Sequence, residues 1–154
     1  MLNVRRVPVA ELAADEAFAA LTARYEEECG LTGLLRAAPA LDAYAELERK
    51  GAYQALAAYV DGRLAGFCGV IFSAVPHYEG AAFASVESLF VDPGSRKSGA
   101  GLALIREAER LAAERGAPVL FMSAPAGGRL DVLLPRLGYR RTNVVYMKER
   151  SRAC

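Results

Sequence analysis

A strand-like run, Val86-Glu87-Ser88-Leu89-Phe90-Val91, passes through Asp92-Pro93-Gly94-Ser95-Arg96-Lys97-Ser98-Gly99-Ala100-Gly101 directly into an amphipathic helix. No other feature of the chain restricts its fold as much. Leu104, Ile105, Ala108, Leu111 and Ala112 fall on one stripe of that helix, and Arg106, Glu107, Arg110 and Glu114 are expected to face water. Gly116 stops the helix, and Pro118 opens a further apolar run over residues 119–123. A strand, a crossover helix and a second strand place the two strands parallel, which requires an α/β sheet.

The segments before this unit supply the antiparallel part. Residues 53–60 and 64–72 are apolar runs joined through Asp61-Gly62, the signature of a hairpin. A third strand covers 82–91, after a loop holding Pro76, His77, Tyr78 and Gly80. Residues 3–9 form a short opening strand. Leu12, Phe18, Leu21 and Tyr25 predict one helix over 10–28, broken by Gly30 and Gly33, and a second helix spans 41–50 with Gly51 as its stop. Leu130, Leu133, Leu134 and Leu137 repeat at helical spacing. Because Pro135 lacks an amide donor, that helix is placed to start near Asp131, its N-cap. Residues 139–150 alternate enough to complete the sheet. The predicted order is β-α-α-β-β-β-α-β-α-β-β, a single mixed sheet with helices on both faces, in one domain spanning residues 1–154.

Composition removes several function classes. The chain has 154 residues, 53% hydrophobic and 24% charged, and a net charge of +1. That balance argues against a nucleic-acid binder, which shows a marked basic excess. No apolar run approaches the roughly 18 residues of a membrane span, and the N-terminus turns acidic where a signal peptide would be apolar. A soluble cytoplasmic protein without membrane contact is expected. Cys29, Cys68 and Cys154 are widely spaced and His77 is the single histidine, so neither a disulfide framework nor a metal site is expected. Cys68, inside an apolar strand, reads as a small hydrophobe.

The glycine loop carries the chemistry. Gly99 and Gly101 at a helix start let backbone amides approach a ligand, the helix dipole favours an anion, and Arg96 and Lys97 add charge. A pyrophosphate would suit such a loop. It is not a Walker A loop, because no Gly-Lys-Ser/Thr follows, and it lacks the first glycine of a dinucleotide fingerprint. Arg96-Lys97-Ser98-Gly99-Ala100-Gly101 resembles the Arg/Gln-x-x-Gly-x-Gly/Ala loop of the GNAT superfamily of N-acetyltransferases. It follows a Leu-Phe-Val-Asp-Pro strand end as in that family, and Leu137-Gly138-Tyr139 is similar to the family's Leu-Gly-Phe/Tyr. The order of elements extends the resemblance over nearly the whole chain.

The resemblance implies acetyl-CoA, or another acyl-CoA, as co-substrate, held where strands 86–91 and 119–123 splay apart. The backbone amides around Leu89, Phe90 and Val91 would pair with the pantetheine. The backbone amides of Arg96, Lys97, Ser98, Gly99, Ala100 and Gly101, with Leu102 just behind, would hold the pyrophosphate, and Ser123 is a candidate for a further contact. It also implies direct attack of an acceptor amine, from a small molecule or a peptide, which needs a proton acceptor. Glu87 is read as that base, partly desolvated amid Val86, Leu89 and Phe90; an acceptor anchor and a structural carboxylate remain the alternatives. Leu134 stands where the family commonly has a tyrosine acid, and Gly127 where an asparagine often stands. Tyr146 is the candidate substitute acid, on the last strand. His77 and Tyr78 are candidates for the acceptor side, and Glu26-Glu27-Glu28 for attracting a cationic amine or forming a solvated face. A non-catalytic acyl-CoA-binding or sensing module is the alternative to an N-acetyltransferase, and homodimer formation stays open.

Overall fold

Asp61 and Gly62 both hold left-handed φ, 50° and 80°. A two-residue turn of that kind matches the twist of the strands it joins, here β2 (Tyr53–Val60) and β3 (Arg63–Val75). The computed structural model describes residues 1–29 and 39–148, except the side chain of Cys29. The expected breaks at Gly30 and Gly33, the end of the last run at Arg150, and Cys154 lie outside the described residues. Two compact units are present, Met1–Ser123 and Ala124–Cys154.

The first unit contains a five-stranded sheet in the order β1-β2-β3-β4-β5. β1 (Leu2–Val7), β2, β3 and β4 (Ala81–Val91) are antiparallel neighbours, and β5 (Leu120–Met122) runs parallel to β4. The sheet is therefore mixed, as the crossover required. Alternation sends Leu56, Cys68, Val70, Ala84 and Val86 to one face, against Ala100, Leu104, Ala108 and Leu111 of α4 (Ala100–Glu114). Fully burying a side chain such as Leu104 stabilises by about 1.5–3 kcal/mol relative to exposure. The opposite face carries Tyr53, Ala55, Ala57, Phe67 and Phe90 under three helices, α1 (Val9–Ala14), α2 (Phe18–Cys29) and α3 (Leu41–Arg49).

Four local expectations are corrected. The single helix over 10–28 is two, because Asp15 leaves helical geometry and its carboxylate accepts the Ala17 amide at 3.0 Å, an alternative to the helical bond. Glu107 does not face water. It is buried, accepting from Arg6 Nε at 2.8 Å and from Arg110 Nε at 2.9 Å. In the second unit, α5 (Arg129–Arg136) begins earlier than expected, with Gly128 as N-cap. Asp131 is the third residue of the helix and reaches back to accept the Gly127 amide at 2.9 Å, one residue before the N-cap. That amide, then the Arg141 guanidinium at 2.6 Å, hold its carboxyl below the ordinary value.

The fourth correction concerns the end of the chain. No strand forms over residues 139–148, and Val144, Val145, Tyr146 and Met147 are all exposed. Arg140-Arg141-Thr142-Asn143 is a polar stretch that interrupts the alternation, and β propensity without a buried face to pack does not fix a strand.

Candidate active site

The register between β3 and β4 slips once. Gly69 lies opposite Ser88 and Val70 opposite Val86, so Glu87 has no cross-strand partner. A bulge of this kind changes which way the following side chains point. Ala84 and Val86 face α4 before it, and Leu89 and Val91 face α4 after it. Glu87 and Ser88 therefore both fall on the opposite face. There Glu87 Oε1 accepts a hydrogen bond from Tyr44 Oη of α3 at 2.8 Å. The Tyr44 ring packs on Tyr53 with centroids 4.9 Å apart.

This placement overturns the expectation of a desolvated carboxylate. Glu87 is exposed: strand alternation puts Val86 on the other side of the sheet, and the bulge puts Leu89 there too. Burial, then the hydrogen bond to Glu87, raise the Tyr44 phenol above its ordinary value. Burial, then the Glu87 charge, do the same for Tyr53. Both phenols stay protonated at neutral pH, so Tyr44 acts toward Glu87 as a donor.

Gly69 makes this arrangement sterically feasible. A Cβ there would lie 2.5 Å from Tyr53 Oη and 2.9 Å from Ser88 Oγ. Beside it, Cys68 is buried as the apolar pattern predicted, and burial, with the Glu87 charge second, pushes its thiol up to about 12. Cys68 is expected to resist alkylation by iodoacetamide at pH 8 in the folded protein and to react on unfolding, as the thiolate is the nucleophile. Mass spectrometry of tryptic peptides checks this, and rapid native labelling of Cys68 would contradict it.

On its other edge β4 separates from β5 early. Only Ala84, Ser85 and Val86 have β5 partners, and the Ala84 amide donates to Val119 O at 3.1 Å. Beyond Val86 the strand continues to Val91 without them. The Asp92 amide donates back to Ala65 O of β3 at 2.8 Å. Alternation then directs the Phe90 amide toward β3 and those of Leu89 and Val91 toward the open edge. The Phe90 side chain is buried in the core under α1–α3.

The strand then enters the glycine loop. The Asp92 carboxylate accepts the Gly94 amide at 3.1 Å, and Ser98 Oγ accepts the Ala100 amide at 3.2 Å. Gly99 holds φ +86°, a conformation that L side chains rarely adopt, and forms the N-cap of α4 without a side-chain cap. The first-turn amides of Gly101 and Leu102 have no acceptor within the helix. Lys97 and Ser98 are exposed on the loop.

The Arg96 side chain, expected to add charge to the loop, is engaged within the protein. Its Nε donates to Val91 O at 3.0 Å, a terminal nitrogen donates to Glu28 Oε2 at 2.6 Å, and the guanidinium lies over the Phe90 ring. Its charge is thus engaged with α2, where Phe90 is buried. Arg24, one turn before Glu28, pairs with Asp92, so α2 holds the loop at two points. Glu28 is a structural partner in this arrangement.

The remaining sequence candidates fall on several different elements. Ser123 is exposed just past β5. His77 and Tyr78 lie in a single exposed 3-10 turn, edge to face with centroids 5.1 Å apart. Tyr146 is 90% exposed in the irregular segment 139–148 rather than on a strand. Leu134 is buried in α5. Among the described residues no cluster of three His, Cys, Asp or Glu could hold a metal, and no helix is long and apolar enough to cross a membrane.

Residues 14–127 match the family model of the acetyltransferase (GNAT) family. The chain belongs to that family. Solved structures similar to this GNAT protein share its fold. One is a GCN5-related N-acetyltransferase from Ralstonia eutropha JMP134, 22% identical, covering 97% of this chain and 99% of that one with a TM-score of 0.76. Another is a ribosomal-protein-alanine N-acetyltransferase from Brucella melitensis biovar Abortus 2308, 23% identical, covering 98% and 100%, with a TM-score of 0.71. A third is the aminoglycoside acetyltransferase HMB0005 from an uncultured soil metagenomic sample, 22% identical, covering 98% and 99%, TM-score 0.75. Among curated proteins no sequence matches. The sequence reading of this GNAT protein missed Tyr44 and Tyr53. Both were visible only as apolar positions of a helix and a strand, and the contact of Tyr44 with Tyr53, itself packed over Gly69, depends on the sheet.

Proposed function

We propose that this GNAT protein transfers an acetyl group from acetyl-CoA to a primary amine of a small molecule or peptide, by direct attack in a ternary complex. The observation that carries this reading is the early separation of β4 from β5. It leaves the Leu89 and Val91 amides at an edge without a paired strand, and that edge runs into the start of α4, where Gly99 offers no side-chain cap. The residues fit the cofactor: a strand edge pairs with the amides of a pantetheine arm, and Gly99, Ala100, Gly101 and Leu102 suit a pyrophosphate. Lys97 adds a cation on the loop, and Ser123 stands past the end of β5 for a further contact.

Acetyl-CoA supplies the acyl group, activated as a thioester. Glu87 accepts the proton that the amine must lose, and Tyr44 holds that carboxylate by its hydrogen bond. Leu134 offers no proton. A thiol pKa of about 8.5 lets the thiolate leave near neutral pH without such help.

Thermal melts with and without about 1 mM acetyl-CoA test the cofactor site. At 100 times Kd the ligand adds about 2.7 kcal/mol, a rise of roughly 5–10 °C for a domain of this size. Gly99→Glu should abolish the rise, since it strains a left-handed position and puts a carboxylate where an anion binds. Absence of any rise in the wild-type protein would overturn the reading. A rise without CoA release from any amine would favour a binding or sensing module.

A further inference from the structure

The acceptor side of β4 carries an unusual combination of groups. Phe83, Ser85 and Glu87 alternate along one face of the strand, and Phe121 of β5 is the registered neighbour of Ser85. The Tyr78 and Phe83 rings have centroids 5.6 Å apart, as do Phe83 and Phe121. Tyr78 is 57% exposed and Phe121 37% exposed. The three rings form a continuous shelf leading toward the Glu87 carboxylate, on the sheet face opposite α4. Exposed apolar surface of this kind, continuous with a polar site, marks a place where a ligand is received.

Charge narrows the ligand. Across residues 81–91 and 119–123 the single ionisable side chain other than Tyr or Cys is Glu87. One carboxylate complements one ammonium. A polycation would meet rings where it needs further carboxylates. Spacing narrows it again: Phe121 is one strand across and two residues along from Glu87, about 8 Å between Cα atoms for ordinary sheet spacings. Two or three methylenes between a ring and a nitrogen span roughly 4–5 Å at about 1.5 Å per bond, and the two side chains close the rest.

We propose that the acceptor is a monocationic arylalkylamine, its ring lying on Phe83 and Phe121 and its nitrogen at Glu87. This rests on the acetyltransferase reading and adds the substrate class. Tyr78 closes the outer end of the shelf, and His77 packs edge-on behind it. Offset or edge-to-face contact with two rings favours an aromatic body over an alkyl chain of similar size.

CoA release is measured at saturating acetyl-CoA with 2-phenylethylamine, n-butylamine, spermidine and kanamycin. The expected result is a kcat/KM for 2-phenylethylamine at least about tenfold above each of the others, a factor typical of one well-filled apolar contact. Phe121→Ala should raise KM for 2-phenylethylamine about tenfold with kcat within about threefold, lower kcat/KM for n-butylamine by less than about threefold, and preserve the acetyl-CoA melting shift. Phe121→Tyr should restore the preference. Preference for spermidine or kanamycin, or equal loss with both monoamines in Phe121→Ala, would overturn the inference. Saturation-transfer NMR of 2-phenylethylamine with the wild-type protein and Phe121→Ala reads the shelf without turnover. Ring signals that appear with the first and vanish with the second support the shelf, and no wild-type signal overturns it. The acetyl-CoA melt, read separately, reports on the acetyltransferase reading itself.

Discussion

Glu87→Gln should lower kcat by about 10²–10⁴-fold with any amine that supports turnover, while acetyl-CoA affinity stays within about twofold. The substitution keeps the side-chain shape, and the amide oxygen can still accept from Tyr44. What it removes is the site for the amine's proton. The separation of effects follows from the sheet. Glu87 projects from the face opposite α4, whereas the cofactor reading uses the Leu89 and Val91 backbone edge and the start of α4. Steady-state kinetics with parallel acetyl-CoA melts make the measurement. A kcat within threefold of wild type would assign the proton to another acceptor and leave Glu87 as an anchor. A matched loss of cofactor binding would instead make it structural.

Gly66→Ala is expected to cost about 2–3 kcal/mol, lowering Tm by roughly 5–10 °C. A Cβ at Gly66 would lie 2.6 Å from Phe90 O, 3.0 Å from Val91 Cγ2 and 3.2 Å from Val91 Cα. The first and last of these belong to the backbone of β4, which cannot rotate away as a side chain could. The strand is further held by the Asp92 amide on Ala65 O. Displacing Val91 also disturbs the open edge, so the acetyl-CoA melting shift should shrink in the same variant. Gly80→Ala is the comparison: φ is +77° there but nothing lies within 4 Å, so left-handed strain alone costs about 1 kcal/mol. Equal Tm values for the two variants would show that β3 and β4 are not packed this closely.

The parts of the fold that could be read in advance are those whose signals are local. Asp61-Gly62 between two apolar runs specifies its hairpin, because left-handed geometry at two successive positions admits few residue pairs. The 3.6-residue stripe of α4 specifies its buried face in the same way, apart from Glu107. There Arg6 of β1, 101 positions away, supplies the partner that makes burial of a carboxylate tolerable. The irregular stretch over residues 139–148 shows the limit from the other side. Val144-Val145-Tyr146 has strand-forming composition, yet composition does not provide the neighbour against which a strand must pair.

The candidate site divides along the same line. The glycine loop was legible because its requirements are met within ten residues: a turn, left-handed Gly99 and a helix start with unpaired amides. That sequence determined the α/β class, the parallel crossover and the family resemblance. Only the tertiary structure decided where the side chains around it point. One unpaired residue in β4 leaves Glu87 facing Tyr44 while Leu89 turns to the face of α4. Arg96 is drawn to Glu28 and Val91, and Phe121 is brought beside Ser85 by a parallel register across a crossover. Such pairings join residues tens of positions apart. Their geometry depends on bulge, register and close packing over glycine, which no local pattern of residue types encodes.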